Sequence, residues 1–317
     1  MAKVLCDRDN KLTFQEPQLL VILAKVDNYP MSTVRIGLIQ LRCTESREEN
    51  LRTSEEMLRQ AVDLGANIVC FPELFTMPYP CQNEDHRQFA RAESLDGPTV
   101  RWLKECSEKW SIVVIGSIFE RRDAGLYHNT AVVCEQGRML GFYRKTHIPD
   151  DPYYYEKFYF TPGDVGYPVF STRFGRIAVG VCWDQWFPEV ARLFALGGAE
   201  ILFYPTAIGW LLPEKEEFGS TQHAAWETMH RSHAIANGLY VAAANRTGLE
   251  GNIEFWGSSL ICDPNGVVLA RGSFHEPEVL VADCQLEKID IVRTHWPFLR
   301  DRRVDTYEGL LRRSLRP

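Results

Sequence analysis

The sequence predicts an α/β chain folded as a four-layer α-β-β-α sandwich with internal pseudo-two-fold symmetry, and two observations carry that reading. Apolar, strand-like runs alternate with helical periodicity from Val34 onward. Two stretches of the first half also recur in the second. Gly65–Pro72 (GANIVCFP) matches Gly198–Pro205 (GAEILFYP), 133 residues later. Asn129–Gly137 (NTAVVCEQG) matches Gly257–Gly266 (GSSLICDPNG), whose closing glycine stands 129 residues later. Such similar offsets imply two βαβ-type halves, each a mixed sheet with helices along one face. The bare faces of the two sheets then pack together.

The elements follow in order. Val34–Leu41 (VRIGLIQL) reads as a strand. Ser46 and Glu49 have the S-x-x-E spacing of a capping box, and Leu51, Leu58, Ala61, Val62 and Gly65 continue at helical spacing. Ala66–Glu73 is nearly all apolar, as a strand buried on both faces is. Pro98–Trp110 is a helix with proline in its first turn. Strands follow over 112–120, 129–135 and 139–145, the last two joined by a turn at Gly137. The second half repeats the theme: strand 176–182, helix 188–196, strand 201–206, helix 225–237 and strand 239–245. Strands at 257–263, 267–271 and 279–282 close the set, the first two joined through Pro264-Asn265-Gly266. Residues 1–30 lack this pattern and precede a second methionine, Met31, so they read as an extension outside the core. The domain is expected over 31–303, with 304–317 as a C-terminal tail.

Composition narrows the function classes. At 45% hydrophobic and 24% charged, the 317 residues exclude collagen-like, coiled-coil and wholly disordered chains. A net charge of −7 argues against a nucleic-acid partner, whose phosphates call for a basic face. Leu19–Ala24, the longest apolar run near the N-terminus, is far short of the roughly 20 residues that span a bilayer. No membrane partner is expected. The nine cysteines are odd in number, never spaced C-x-x-C, and several lie in apolar runs, which suits free thiols in a reducing cytoplasm.

An α/β fold of this kind places its site beyond the carboxyl ends of its strands. Three chemically able side chains stand there: Glu73, Lys145 and Cys182. A thiol nucleophile, a carboxylate base and an ammonium for an oxyanion are the parts of acyl transfer. Taken singly each has a plainer explanation, because a cysteine closing an apolar strand is ordinarily a small core residue. The flanks of Cys182 favour chemistry. Gly180-Val181-Cys182-Trp183-Asp184 runs through a sharp turn toward a helix opened by Pro188, the shape of a nucleophile elbow with a helix N-terminus favouring the thiolate.

Four segments in order then carry a resemblance: PEL around Glu73, YRKTHIPD around Lys145, EKFYFTPGD from Glu156 and GVCWDQWFPE around Cys182. Together they resemble the nitrilase superfamily of carbon–nitrogen hydrolases, from Val34 to about Arg303. The resemblance implies the same α-β-β-α sandwich. It also implies roles: Cys182 as nucleophile forming a thioester-type acyl-enzyme, and Glu73 as general base for the thiol and later for water. Lys145 holds the oxyanion with the backbone N–H of Trp183, and Glu156 is a second glutamate that positions substrate and tunes Lys145. No metal or other cofactor is implied. Ionisable groups so close titrate as a coupled set.

Within the superfamily, THIPDDPYYYEKFYFTPGD, VCWDQWFPEVARL and EILFYPTAIG are most similar to the N-carbamoylputrescine amidohydrolase branch. That similarity implies a small N-carbamoyl substrate, cleaved to an amine, carbon dioxide and ammonia. A cationic substrate tail wants aromatic faces and carboxylates. Tyr79, Trp183 and Trp210 are the substrate-binding candidates, with Trp186 nearby and Glu214, Glu216 and Glu217 in the expected loop. After Gly209 the chain departs from the branch, reading WLLPEKEEFGSTQHAAWETM where an acidic-serine stretch is expected. N-carbamoyl-β-alanine or another N-carbamoyl amino acid is the alternative substrate, and its carboxylate calls for Arg or His. Two other classes stay open: a metal hydrolase using His223, His230 and His233, and a non-catalytic binding protein, which predicts a degraded triad. Trp296, Phe298, Leu299, Leu310 and Leu311 lie among six arginines after residue 299. Such a tail reads as a docking arm for a homodimer or higher homo-oligomer, or as a helix folding back on its own subunit.

Overall fold

Strand alternation decides how the layers stack. In the computed structural model, which describes residues 33–316, β1 (Thr33–Gln40) buries Ile36 and Leu38 on one side and Ile39 on the other. β2 (Ile68–Cys70) and β3 (Val113–Asp123) repeat this, with Ile68, Cys70, Val113 and Ile115 on the first side and Val69 and Val114 on the second. Strands buried on both faces need a layer on each side. The extension expected over 1–30 lies outside the described residues.

One six-stranded sheet has the spatial order β15 (Glu278–Gln285), β1, β2, β3, β4 (Leu126–Glu135), β5 (Arg138–Arg144). The other runs β6 (Phe170–Thr172), β7 (Gly175–Val179), β8 (Ile201–Thr206), β10 (Tyr240–Asn245), β13 (Leu260–Cys262), β14 (Val268–Arg271). Both follow one pairing scheme: an antiparallel edge strand, three parallel strands, then two antiparallel ones. β2 therefore corresponds to β8, and β4 to β13, where the two repeated segments lie.

The first sides of both sheets share one core, in which Leu38, Ile68 and Ile115 join Ile177, Val179 and Phe203. The outer face of the first sheet lies under α1 (Arg47–Asp63) and α2 (Pro98–Lys109) through Met57, Leu58, Ala61 and Leu103. α1 lies close: a Cβ on Gly37 would come within 3.4 Å of the Ala61 Cβ. α4 (Pro188–Leu196) and α5 (Lys215–Asn237) add Val190, Phe194 and Trp226 to the second sheet's side. Helices outside, sheets inside: this is the four-layer sandwich.

Local signals mostly hold. Ser46 Oγ caps α1 by accepting from the Glu49 amide at 3.2 Å, while the Glu49 carboxylate takes the Thr44 hydroxyl instead of closing the box. Other expectations are corrected. α5 begins at Lys215, ten residues before the expected start, so Glu216 and Glu217 form its first turn, where acids suit the helix dipole. A small sheet of β11 (Thr247–Glu250), β12 (Ile253–Trp256) and β9 (Gly209–Leu211) is new, as are α3 (Glu156–Tyr159) and α6 (Glu287–His295). The tail forms two short 3-10 turns, Val304–Thr306 and Glu308–Leu311, with Leu310 and Leu311 exposed.

Candidate active site

Each main candidate begins where a strand ends. β7 stops at Val179, and Gly180 lets the chain cross the Tyr204 ring, which a Cβ there would approach to 2.6 Å. Cys182 then adopts φ +42°, a left-handed conformation costly for a residue with a side chain. It opens the 3-10 turn Cys182–Trp186 that leads into α4, and its buried Sγ lies 3.8 Å from Ala207 O. Glu73 follows β2, its amide donating to Thr206 O at 3.3 Å. Lys145 follows β5, and Glu156 opens α3.

The fold brings these four together in its interior. Lys145 Nζ lies 2.9 Å from Glu73 Oε1 and 2.8 and 2.7 Å from the two Glu156 oxygens, all three residues being fully buried. Burial opposes the Lys145 charge, but Glu156 and Glu73 outweigh it and hold the ammonium well above the usual lysine range. Burial pushes Glu156 up to about 7, with Lys145 pulling it down and Glu73 pushing it further up. Burial and then the Glu73 charge push the Cys182 thiol well up, against the pull of Lys145. The helix N-terminus expected to favour the thiolate is thus opposed by burial and by the Glu73 charge. A buried thiol gives up its proton only to a neighbouring acceptor, and Glu73 has a carboxylate oxygen to spare. Its Oε1 serves Lys145 and Asn129, while buried Oε2 has no hydrogen-bond partner among the described residues.

Residues overlooked in the sequence hold this set in place. Asn129 donates through Nδ2 to Glu73 Oε1 at 2.6 Å, and its backbone carbonyl accepts the Lys145 amide at 2.9 Å. Fully buried Arg246 donates to Glu73 O and Leu74 O at 2.7 and 3.1 Å, and to Glu250. Glu250 Oε2 in turn accepts the Tyr79 amide at 2.7 Å. A charge directly after the apolar run Tyr240–Asn245 was the signal that marked Arg246.

A cavity of about 550 Å³ opens onto Cys182 and Glu156. Tyr154, Trp183, Trp186 and Trp256 give it aromatic walls, and α5 adds Phe218, Thr221 and Gln222. Asp151 and Glu214 bring carboxylates, whereas no Lys, Arg or His lines it among the described residues. Trp183, one of the substrate-binding candidates, lines this cavity. Tyr79 does not line this cavity; its hydroxyl donates to Glu156 Oε1 at 2.7 Å. Trp210 does not line it either: its indole donates to Gly219 O at 2.8 Å and its ring sits under Lys215, fastening β9 to α5. Glu216 and Glu217 are exposed.

The three histidines take separate partners: Ser258 Oγ for His223, Trp226 O for His230 and Gln185 O for His233. Among the described residues no three His, Cys, Asp or Glu side chains converge as a metal-binding group.

Residues 35–294 match the model of the carbon-nitrogen hydrolase family. The N-carbamoylputrescine amidase of Oryza sativa subsp. japonica is 41% identical over 289 residues, 88% of this chain and 95% of that protein. The citrullinase of Francisella tularensis subsp. tularensis is 38% identical over 288 residues, 89% of this chain and 100% of that protein. Among solved structures, the carbon-nitrogen hydrolase from Helicobacter pylori G27 superposes with a TM-score of 0.87 at 44% identity, covering 89% of this chain and 100% of that one.

Proposed function

The chain belongs to the carbon-nitrogen hydrolase family and is a hydrolase of carbon–nitrogen bonds other than peptide bonds; from that premise we propose that it converts N-carbamoylputrescine to putrescine, carbon dioxide and ammonia. The charge of the cavity supports this most. Asp151 and Glu214 offer carboxylates to an ammonium tail, and the aromatic walls offer faces to it. A substrate ending in a carboxylate, such as N-carbamoyl-β-alanine or citrulline, needs a cation that this wall lacks among the described residues. Against a non-catalytic binding protein stand Glu73, Lys145 and Cys182, all present and clustered.

The chemistry follows from the geometry. Glu73 Oε2 takes the Cys182 proton as Sγ bonds to the carbamoyl carbon, so the thiolate arises only as it is used. The carbonyl becomes an oxyanion, which the Lys145 ammonium and the Trp183 amide stabilise. The intermediate collapses, the C–N bond breaks, and ammonia departs with the proton from Glu73. Glu73 then takes a proton from water, whose oxygen displaces Sγ, and passes it to Sγ to restore the thiol, while the released carbamic acid loses carbon dioxide. Glu156 keeps Lys145 charged through both steps.

Ammonia release is the test, measured for the intact protein and for Cys182→Ala on N-carbamoylputrescine, N-carbamoyl-β-alanine and citrulline. Turnover of the cationic substrate alone, abolished in the variant, is expected. Turnover of only a carboxylate-bearing substrate overturns the substrate assignment, and turnover surviving in Cys182→Ala overturns the mechanism.

We also propose a homodimer or higher homo-oligomer in which residues 304–317 form the docking arm, a reading supported by Leu311 and Leu315, 90% and 76% exposed. Deleting 304–317 is expected to lower the mass seen by light scattering; an unchanged mass overturns it. The eight described cysteines, all buried free thiols, support placement in the cytoplasm, which cell fractionation tests.

A further inference from the structure

Asp184 is a fully buried carboxylate with four donors, and they come from both sheets' ends. Its Oδ2 accepts the Val181 amide at 3.1 Å and the Tyr143 hydroxyl at 2.9 Å. Its Oδ1 accepts the His147 amide at 3.0 Å and lies 2.8 Å from His147 Nδ1. Val181 immediately precedes Cys182, while Tyr143 and His147 stand two residues before and two after Lys145. One rigid group thus grips the chain beside the thiol and on both sides of the ammonium. Tyr143 belongs to β5 in the first sheet, and Val181 follows β7 in the second. Asp184 does not line the cavity, so substrate does not touch it.

We propose that Asp184 is a positioning residue that sets the separation of Cys182 from Lys145 across the two sheets, and that it acts on the reaction step and not on substrate binding. The inference rests on the roles of Cys182 and Lys145 proposed for the hydrolysis. Two features support it. Buried carboxylates are costly unless their acceptor positions are filled, and here four donors fill them, which locks the geometry. The turn it braces also carries the left-handed φ of Cys182, a conformation that persists only where its surroundings hold it. Misplacing reacting groups by about 1 Å costs on the order of a hundredfold in rate.

The His147 contact separates bracing from titration. An asparagine side chain places its Nδ2 close to where histidine holds Nδ1, so His147→Asn keeps a donor for Asp184 Oδ1 and removes the imidazole. His147→Ala removes both.

The experiment measures kcat and KM for Asp184→Asn, Tyr143→Phe, His147→Asn and His147→Ala, each normalised to folded enzyme by its near-ultraviolet circular dichroism. Cys182 alkylation by iodoacetamide, mapped by peptide mass spectrometry, gives a readout that needs no substrate assignment. Asp184→Asn turns one acceptor into a donor facing the Val181 amide, so kcat is expected to fall about 10- to 100-fold with KM within about twofold, and alkylation to slow. Tyr143→Phe loses one donor and packs alike, which keeps the proposal falsifiable if Asp184→Asn fails to fold; several-fold in kcat is expected. His147→Asn should turn over much faster than His147→Ala. Wild-type kcat per folded molecule in both Asp184→Asn and Tyr143→Phe overturns the proposal, as does a loss confined to KM or equal loss in the two His147 variants. Activity surviving in Cys182→Ala instead overturns the reading beneath it, so the two failures are distinct.

Discussion

Lys145 Nζ and Glu156 form a two-point contact, 2.8 and 2.7 Å to the two carboxylate oxygens, both residues being fully buried. Burial nevertheless raises Glu156 to about 7, above its ordinary value of 4.5. A raised carboxyl means that the folded protein holds this proton more tightly than the unfolded chain does. The stability it contributes is fully present below about 4.5 and is lost as pH rises through about 7. Relative to Glu156→Gln, the wild type should therefore lose stability across that window and run parallel above it. Urea unfolding of both proteins at intervals from pH 4 to 8 measures this, and a difference that is flat with pH, or of opposite slope, contradicts it.

Tyr79 moderates the same group. Its hydroxyl donates to Glu156 Oε1 and so favours the charged form, lowering a value that burial has raised. Tyr79→Phe removes that donor and little else, and Glu156 should titrate higher. A hydrogen bond to a charged group is worth roughly 1.5–3 kcal/mol, or about 1–2 pKa units. The pH at which the stability difference from Glu156→Gln levels off should move up accordingly. Turnover near neutral pH should fall about tenfold, and Tm should fall by several degrees, as the loss of a buried bond of this strength implies. An unmoved pH window shows that the hydroxyl does not hold Glu156.

What could be read in advance follows physical rules. Glu73, Lys145 and Cys182 stood out because a strand end is where an α/β fold exposes chemistry, and each follows an apolar run. The two-sheet plan was visible because β2 and β8 need the same apolar face and the same glycine entry. Trp210 misled, since an aromatic residue type does not reveal which way its ring turns, and here it turns into a contact with Gly219. The start of α5 was hidden because Glu214 gives it no side-chain cap. Asp151 escaped because the cavity wall joins loops far apart in the chain. The upward push on the Cys182 thiol comes chiefly from burial, which no spacing displays.

Arg246 is the residue whose removal should damage folding most plainly. Fully buried, it pairs with Glu250 at 2.9 Å and donates to the carbonyls of Glu73, Leu74 and Met77. Arg246→Met leaves Glu250 buried without its cation and strips donors from the turn carrying Glu73. Breaking a buried pair in this way costs about 3–5 kcal/mol. The double variant Arg246→Met, Glu250→Gln removes the stranded charge and should recover part of that loss, while turnover stays low because the Glu73 turn remains unbraced. Thermal unfolding of both variants decides it: a double variant no more stable than the single one shows that the stranded charge was not the cause.

Glu73 acts on Cys182 in two opposed ways, and one substitution separates them. Its negative charge is a cause of the raised thiol pKa, second to burial, while its Oε2, without a hydrogen-bond partner among the described residues, is the base proposed for that thiol. Glu73→Gln removes the charge, so the thiol should ionise at lower pH than in the wild type. The midpoint of iodoacetamide alkylation at Cys182 against pH should shift down. The same substitution takes away the proton acceptor, and general base catalysis contributes about 10²–10⁴-fold, so turnover should fall by that order. A thiol that ionises more readily in a protein that turns over far more slowly is the combined result expected. If turnover and thiol ionisation instead rise together, Glu73 is an electrostatic brake on Cys182 and the base lies elsewhere; if the alkylation midpoint does not move, the charge of Glu73 does not reach the thiol.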